Sequence, residues 1–286
     1  MAILNVTPDS FADGGRFASA GDVADAAQRA LDEGADALDV GGESTRPGAA
    51  RVPIDEQTRR VVPAIEAIRA RGITAPITVD TTLAPVARAA LDAGADAIND
   101  VSAGEEDPAV LALAAERGCG VILMHRLAPP DRDVYSDRYE RAPEYTDVVG
   151  HVGGYLAGRV AAAERAGVAP DAILVDPGLG FGKSVEQNLE LIRHSGELAS
   201  RAGRPVLSAL SRKSFVGRAA LGRDSGPSER LPGTLALSVL HLLAGARVFR
   251  VHDVAAHAGA LAAAWATLPR EQPSPPAGWA GDGPGA

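Results

Sequence analysis

One short theme recurs along the chain: an Ala-rich stretch of helical periodicity, a glycine, then an apolar run that ends in something polar. Copies read LDEGADALDV from Leu31, LDAGADAIND from Leu91, ERGCGVILMH from Glu116 and LLAGARVFRV from Leu242. A glycine just past a helix supplies the left-handed residue that ends it. An unbroken apolar run suits a strand buried on both faces. Helices alternating with such strands mean a parallel sheet with helical crossovers. The apolar runs are AILN near residue 2, DALDV near 36, PITVD near 76, DAIN near 96, GVILMH near 120, AILVD near 172, PVLSALS near 205 and RVFRV near 247. That count predicts an α/β fold, specifically a closed (β/α)8 TIM barrel forming a single domain. An open doubly wound sheet would usually place a GxGxxG turn after an early strand, and none is present.

Two segments break the rhythm. LAPPDRDVYSDRYERAPEY, from Leu127, is a long polar loop after the fifth strand, either a partial lid or a solvated excursion. From Pro269 the chain reads PREQPSPPAGWAGDGPGA, whose Pro and Gly content builds no core. The barrel is therefore expected over residues 1–268, with a disordered tail over 269–286.

Charge and hydropathy narrow the partners. With 28 basic and 37 acidic residues the net charge is -9, so the whole surface offers no footprint for nucleic acid and any anion must meet a local basic cluster. The most apolar window, LPGTLALSVLHLLAGARVF, is interrupted by Pro232, His241 and Arg247, and reads as a core helix running into a strand rather than a membrane span. MAIL is too short for a targeting region, and the single cysteine, Cys119, excludes a disulfide within the chain. A cytoplasmic enzyme is expected.

The composition also contains a sharper signal. Only two lysines, Lys183 and Lys213, and three asparagines, Asn5, Asn99 and Asn188, occur in a chain that otherwise favours Ala, Gly and Arg. In a barrel of this type the chemistry comes from the C-terminal ends of the strands and the loops beyond them. Read in order, those ends carry Asn5, Asp39 with GGESTRPG, Asp80, Asn99 with Asp100, His125, Asp176 with PGLGFGK, Ser211 with RK, and Arg250 with His252. Both lysines and two of the asparagines fall there. A lone Asp or Asn at a strand end usually caps the next helix or satisfies a turn. The set, taken with the basic residues, points to a site.

Three themes describe that rim. Asp80, Asn99 and Asp176 offer acceptors and an amide that suit a flat heterocycle bearing several N–H donors. Arg250, His252, Arg212 and Lys213 follow the last two strands, where such barrels commonly bind phosphate. The flexible glycine-rich loops GGESTRPG and DPGLGFGK allow close backbone approach to a ligand, with Thr45, Arg46 and Ser211 as hydrogen-bonding groups and Phe181 as an aromatic face. GLGFGK does not match a Walker loop. His241, His194, His151 and His257 fall in helical stretches, and His125 has no second histidine at ligand spacing, so a zinc hydrolase is disfavoured.

NVTPDSFADGG, DVGGESTRPGA, VDT, IND, LMH, DPGLGFGK, SRKSFVG, LPGT and FRVHD follow one another in this order. The series resembles the dihydropteroate synthase family from Met1 to about Leu268. The resemblance implies a (β/α)8 transferase of folate biosynthesis that joins 4-aminobenzoate to 7,8-dihydropterin-6-ylmethyl diphosphate and releases diphosphate. It implies Asp80, Lys213, Asp176 and Arg250 as catalytic residues. It places Thr45, Asp80, Asn99, Asp176, Lys213, Arg250, Val251 and His252 at the pterin diphosphate, and Thr45, Arg46, Pro47, Phe181 and Ser211 at 4-aminobenzoate. It further implies Mg²⁺ held by Asn5, a homodimer, sulfonamide sensitivity, and a mobile cover over the site from Asp9, Ser10 and Phe11, hinged at Gly14 and Gly15. Relatives of this kind usually carry residues ahead of the first strand, whereas Met1 already lies in it. LMHR departs from their more usual pattern and leaves Arg126 without a role. The alternatives are a pterin-dependent methyltransferase, which needs no diphosphate clamp, and a non-catalytic pterin-binding relative.

Overall fold

The computed structural model describes residues 1–6 and 19–268. The readings made on Asp9, Ser10, Phe11, Gly14, Gly15 and the 269–286 tail lie outside the described residues. Eight strands alternate with helices: β1 (Ala2–Asn5), α1 (Ala20–Asp32), β2 (Leu38–Gly41), α2 (Ile54–Ala70), β3 (Ile77–Asp80), α3 (Ala84–Asp92), β4 (Ala97–Asp100), α4 (Ala109–Arg117) and β5 (Gly120–Met124). The chain continues with α5 (Val148–Ala166), β6 (Ile173–Asp176), α6 (Val185–Arg193), α7 (Ser195–Ala202), β7 (Leu207–Ser208), α8 (Ser214–Leu221), α9 (Leu231–Leu243), β8 (Val248–Phe249) and α10 (Val254–Trp265). Each apolar run named above forms its strand.

The local chemistry accounts for the alternation. Gly34, Gly94, Gly118 and Gly245, which close the four sequence copies, all have positive φ, between 59° and 119°, so each helix ends where a residue without Cβ can turn left-handed. Polar side chains start several helices: Ser19 accepts from the Asp22 N–H at α1, Asp147 from the Gly150 N–H at α5, and Ser184 and Gln187 form a reciprocal capping box at α6.

Strands β1 to β6 pair in sequence order and in parallel, and β7 pairs with β8. Parallel bridges Val175↔Val206 and Ala2↔Val251 join the two sets and close the barrel. At the seam the Met1 amine donates to the Phe249 carbonyl at 3.0 Å, and Ile3 and Val251 exchange backbone bonds with the opposite strand. β2 and β3 are buried along their whole length. One continuous apolar core runs between strands and helices, with Leu38, Val79, Ile98, Leu123, Val175 and Phe215 among its members. Short strands with buried flanks leave their C-terminal ends as the place where polar side chains from different strands meet.

Candidate active site

Strand register builds the centre of the site. Asp39 is opposite Thr78, and Asp80 opposite Asn99. Side chains two apart on a strand share a face, so Asp39, Thr78, Asp80 and Asn99 converge. Arg250, just beyond β8, reaches across to them: its Nε donates to Asp39 Oδ2 at 2.6 Å and its Nη2 to Asp80 Oδ2 at 2.7 Å. The other Asp39 oxygen accepts from Asn99 Nδ2 at 3.2 Å and from the Thr78 hydroxyl. Asp39 is fully buried and thus organises the group that the strand-end residues form. Sequence reasoning placed it on the rim but gave it no role. The available signal was a carboxylate inside the apolar strand LDVG, which requires a buried cationic partner.

Asp80 differs from Asp39 in one respect. Its Oδ1 is buried and has no hydrogen-bond partner among the described residues. Burial pushes the Asp80 carboxyl up to about 7 against the pull of Arg250, with Asp39 adding like-charge repulsion. Arg250 is held even further toward its charged form by Asp39 and Asp80, which outweigh the cost of its burial. An N–H donor presented to Asp80 Oδ1 would satisfy the orphaned oxygen and favour the ionised carboxylate. Gly41 keeps this corner open, since a Cβ there would lie 3.4 Å from Asp80 Cβ and 3.6 Å from Asn5 Oδ1.

Asp176 and Lys213 form the opposite wall. Asp176 serves its own turn through one oxygen, which accepts from the Gly178 N–H at 2.7 Å. Burial raises its pKa, with Lys213 opposing. Lys213 donates to the Leu179 carbonyl, and its Nζ stands 4.2 Å from the centre of the Phe181 ring, a cation–π contact. Burial lowers the Lys213 pKa to about 8, and Asp176 resists that shift. Asp100, by contrast, is a turn organiser: it accepts from the Ser102 N–H and hydroxyl at 2.7 Å each and from the Gly104 N–H.

The DPGLGFGK loop is not the flexible element that its glycines suggest. A Cβ at Gly178 would fall 1.8 Å from the His125 carbonyl oxygen, and one at Gly182 would fall 2.3 Å from Leu127 Cβ. Both residues also have positive φ. The glycines thus permit close packing of two loops rather than motion. The other rare lysine, Lys183, is fully buried in this packing, where it bonds His125 and the loop's own carbonyls rather than Asp80, Asn99 or Asp176.

The residues expected at the phosphate side are also connected. Ser211 Oγ lies 3.0 Å from His252 Nδ1 and accepts from the His252 N–H at 3.2 Å, so the contact Ser211 makes is with His252. Burial, then Arg250 and Arg212, lower the His252 pKa to about 3, leaving the ring neutral. Arg212 is ion-paired to Asp253, its Nε 2.8 Å from Oδ2, and holds a positive φ of 59°. Val251 is buried, and its backbone N–H and C=O both bond to the first strand segment, so its place is in barrel closure.

The loop after β2 is anchored by Glu43, which accepts from the Val52 N–H at 2.6 Å and from Arg51 Nε at 3.1 Å. Thr45 and Pro47 are half-buried and Arg46 is exposed. The side chains of Thr45 and Arg46 make no hydrogen bond or ion pair among the described residues. The Arg46 charge is close enough to contribute to the lowered pKa of His252.

The 127–145 segment, left open as lid or excursion, is bound down. The Gly48 N–H donates to the Pro130 carbonyl at 2.7 Å, Asn188 Nδ2 to Ser136 Oγ at 3.0 Å, and Gln187 Nε2 to the Pro143 carbonyl at 2.7 Å. Arg126 has a definite partner, Glu106, at 2.5 Å, and Arg51 reaches the same carboxylate. No group of three or more His, Cys, Asp or Glu able to hold a metal occurs among the described residues. His241 and His257 are buried structural residues bonded to Ser208 and to the Asp253 carbonyl, respectively.

The arrangement can hold a flat N–H-rich ring between Asp80, Asn99, Asp176 and Lys213, with an anion near Arg250 and His252. The chain is also similar to known proteins. A family model described as pterin binding enzyme matches residues 1–252. The chain is 42% identical to a dihydropteroate synthase of Synechocystis over 258 residues, spanning 90% of this chain and 86% of that one. It is 43% identical to a Xanthomonas albilineans dihydropteroate synthase solved with 4-aminobenzoic acid, at a TM-score of 0.83, covering 94% of this chain and 93% of the other. A Yersinia pestis dihydropteroate synthase in complex with a sulfonamide drug matches with 38% identity, 93% coverage of each chain and a TM-score of 0.83.

Proposed function

The chain belongs to the pterin-binding enzyme family, among the dihydropteroate synthases, and from that premise we propose how its residues divide the reaction. The enzyme is a transferase that condenses 4-aminobenzoate with 7,8-dihydropterin-6-ylmethyl diphosphate to give 7,8-dihydropteroate and diphosphate. The methyltransferase and non-catalytic alternatives yield to this reading, because relatives matched over about nine-tenths of the chain are named as synthases.

The observation that carries the assignment is the orphaned Asp80 Oδ1. A pterin N–H fills that position, while Asn99 and Asp176 supply further polar contacts to the ring. Lys213 provides a donor on the other side, and its charge opposes the burial that raises the Asp176 pKa. As the methylene C–O bond breaks, the electron pair leaves with diphosphate and positive charge develops on the pterin methylene. The Asp80 and Asp176 carboxylates favour that charge in a buried, low-dielectric setting. Arg250 Nη1, which has no partner among the described residues, and neutral His252 meet the departing diphosphate. The amine of 4-aminobenzoate then attacks the methylene carbon and gives up a proton. Thr45, Arg46, Pro47 and Phe181 surround this second substrate. Ser211 joins them through His252, linking the two substrate sides.

Mg²⁺ fits the residues present. Asn5, at the end of β1, offers an amide oxygen that makes no hydrogen bond among the described residues and faces the same open corner as Asp80. Mg²⁺ takes few protein ligands when substrate phosphates supply the rest, so one oxygen without an acidic cluster is an adequate set. Bound there, the ion would supply charge neutralisation to the diphosphate.

The enzyme works as a homodimer. Leu240, Leu243 and Trp265 on α9 and α10 are each about half exposed, and burying such apolar surface favours association. No described helix is long and apolar enough to cross a membrane, and a single cysteine accords with a cytoplasmic location. Diphosphate release that depends on both Mg²⁺ and 4-aminobenzoate tests the reading. Folded protein that releases none would overturn it.

A further inference from the structure

Lys183 is a fully buried lysine, and it touches no residue assigned to the pterin. Its Nζ lies 2.9 Å from His125 Nδ1, 3.0 Å from the Gly178 carbonyl and 2.8 Å from the Phe181 carbonyl. An ammonium has three N–H donors, and here each has its own acceptor. Burial pushes the His125 pKa down to about 2, so the ring is neutral, and accepting at Nδ1 requires its proton on Nε2. Burial also lowers the Lys183 pKa to about 7, with Asp176 resisting. The His125 ring is in turn boxed by Tyr155 at 4.8 Å, His151 at 5.6 Å and Tyr145 at 6.4 Å between ring centres.

The surrounding groups grip the same short stretch. Asn188 Oδ1 accepts from the Gly180 N–H at 2.7 Å. Asp133 accepts from the Gly182 N–H at 3.2 Å, and the Tyr145 hydroxyl donates to the Gly182 carbonyl at 2.9 Å. The Leu179 carbonyl receives Lys213, whose Nζ also stands over the Phe181 ring. Side chains from the β5–α5 segment and α6 therefore fix the peptide groups on both sides of Phe181.

We propose that Lys183 is the positioning residue for the 4-aminobenzoate side of the site: tied to His125, it holds the Gly178 and Phe181 carbonyls and thereby sets the Phe181 ring against Lys213. This rests on the reading of Phe181 as a wall of that subsite. The 127–145 segment acts in the same device through Asp133 and Tyr145, which gives that long insertion a function. Two of the residues kept against the compositional bias, Lys183 and Asn188, owe their presence to this clamp rather than to substrate contact.

Steady-state kinetics of the full enzyme, read by diphosphate release with both substrates varied, test the proposal. Lys183→Met keeps the length and removes the donors. The KM for 4-aminobenzoate should rise by about tenfold or more, with the KM for the pterin diphosphate within about twofold of wild type. Both KM values unchanged, or both rising together, would overturn it. Should Lys183→Met fail to fold, Tyr145→Phe decides: removing only the Gly182 contact should raise the 4-aminobenzoate KM by about threefold, and an unchanged value overturns the proposal. Phe181→Ala separates the premise from the inference. If it leaves the 4-aminobenzoate KM unchanged, the reading of Phe181 fails; if it raises that KM while a folded Lys183→Met does not, the positioning role fails alone.

Discussion

Arg250 Nη2 stands 2.7 Å from Asp80 Oδ2, while the second oxygen of that carboxylate is buried without a partner among the described residues. The pairing leaves Asp80 half satisfied, and the proposed function fills the other oxygen with a pterin N–H. Arg250 is also bound to Asp39, so its guanidinium is held in one orientation. A buried ion pair of this kind is costly to break and adds little when intact. On the proposed function, its value lies in holding charge where the reaction develops it.

Asp80→Asn preserves shape and one acceptor oxygen but removes the charge. The fold should persist, because Arg250 keeps Asp39. Turnover over KM for the pterin diphosphate should fall by about 10²-fold or more. Calorimetric titration of the pterin substrate into wild type and variant checks the affinity part, and wild-type affinity would contradict the role of Oδ1.

Asp39→Asn tests a residue that touches no assigned substrate atom. It removes one of the two buried counter-charges of Arg250 and weakens the contacts to Thr78 and Asn99. Stability should drop by about 3 kcal/mol, measurable by urea unfolding, and activity should fall with it as Arg250 and Asn99 lose their orientation.

Lys213→Ala removes the donor to Leu179 and the charge beside Asp176 and Phe181. Lys213 is half-buried at the mouth of the barrel, so the fold should survive. Turnover should fall by about 10²-fold, with circular dichroism unchanged; a variant with wild-type rates refutes the assignment.

His241 offers a pH test away from the chemistry. Burial lowers its pKa to about 4 from an ordinary 6.5. Between those values the unfolded chain binds a proton that the folded chain does not, so stability from this group falls as pH drops through the window. The whole interval corresponds to about 3 kcal/mol. His241→Gln should flatten the acid limb of the stability curve between pH 6.5 and 4, as read by denaturant midpoints at each pH. An unchanged slope counts against a neutral buried imidazole.

Chelation should stop diphosphate release, and added Mg²⁺ should restore it. Titrated into the free enzyme, Mg²⁺ should bind only weakly, at about millimolar or above, because Asn5 alone offers it protein oxygen. Tight binding without substrate would require a ligand set other than the one assigned here.

Much of the barrel was legible because its signals are local. A glycine at a helix end and an apolar run after it depend on neighbours a few residues away, and Gly34, Gly94, Gly118 and Gly245 all adopt the left-handed conformation so implied. Strand ends were legible for the same reason, and Asp80, Asn99, Asp176, Lys213 and Arg250 do meet at one mouth. The rarity of lysine was informative but ambiguous. It marked Lys213, which stands beside Asp176 and the Phe181 ring, and Lys183, which is buried within the loop packing.

The amino-acid sequence by itself determined the order of helices and strands, the end of the barrel that carries polar groups, and the family to which the motifs point. The tertiary structure alone decided how those groups are used. Asp39 and Arg250 are 211 positions apart, and Lys183 and His125 are 58 apart; no periodicity or spacing links them. Such pairs exist because closing the barrel buries polar groups together, and a buried charge or N–H must find a partner wherever the fold places one.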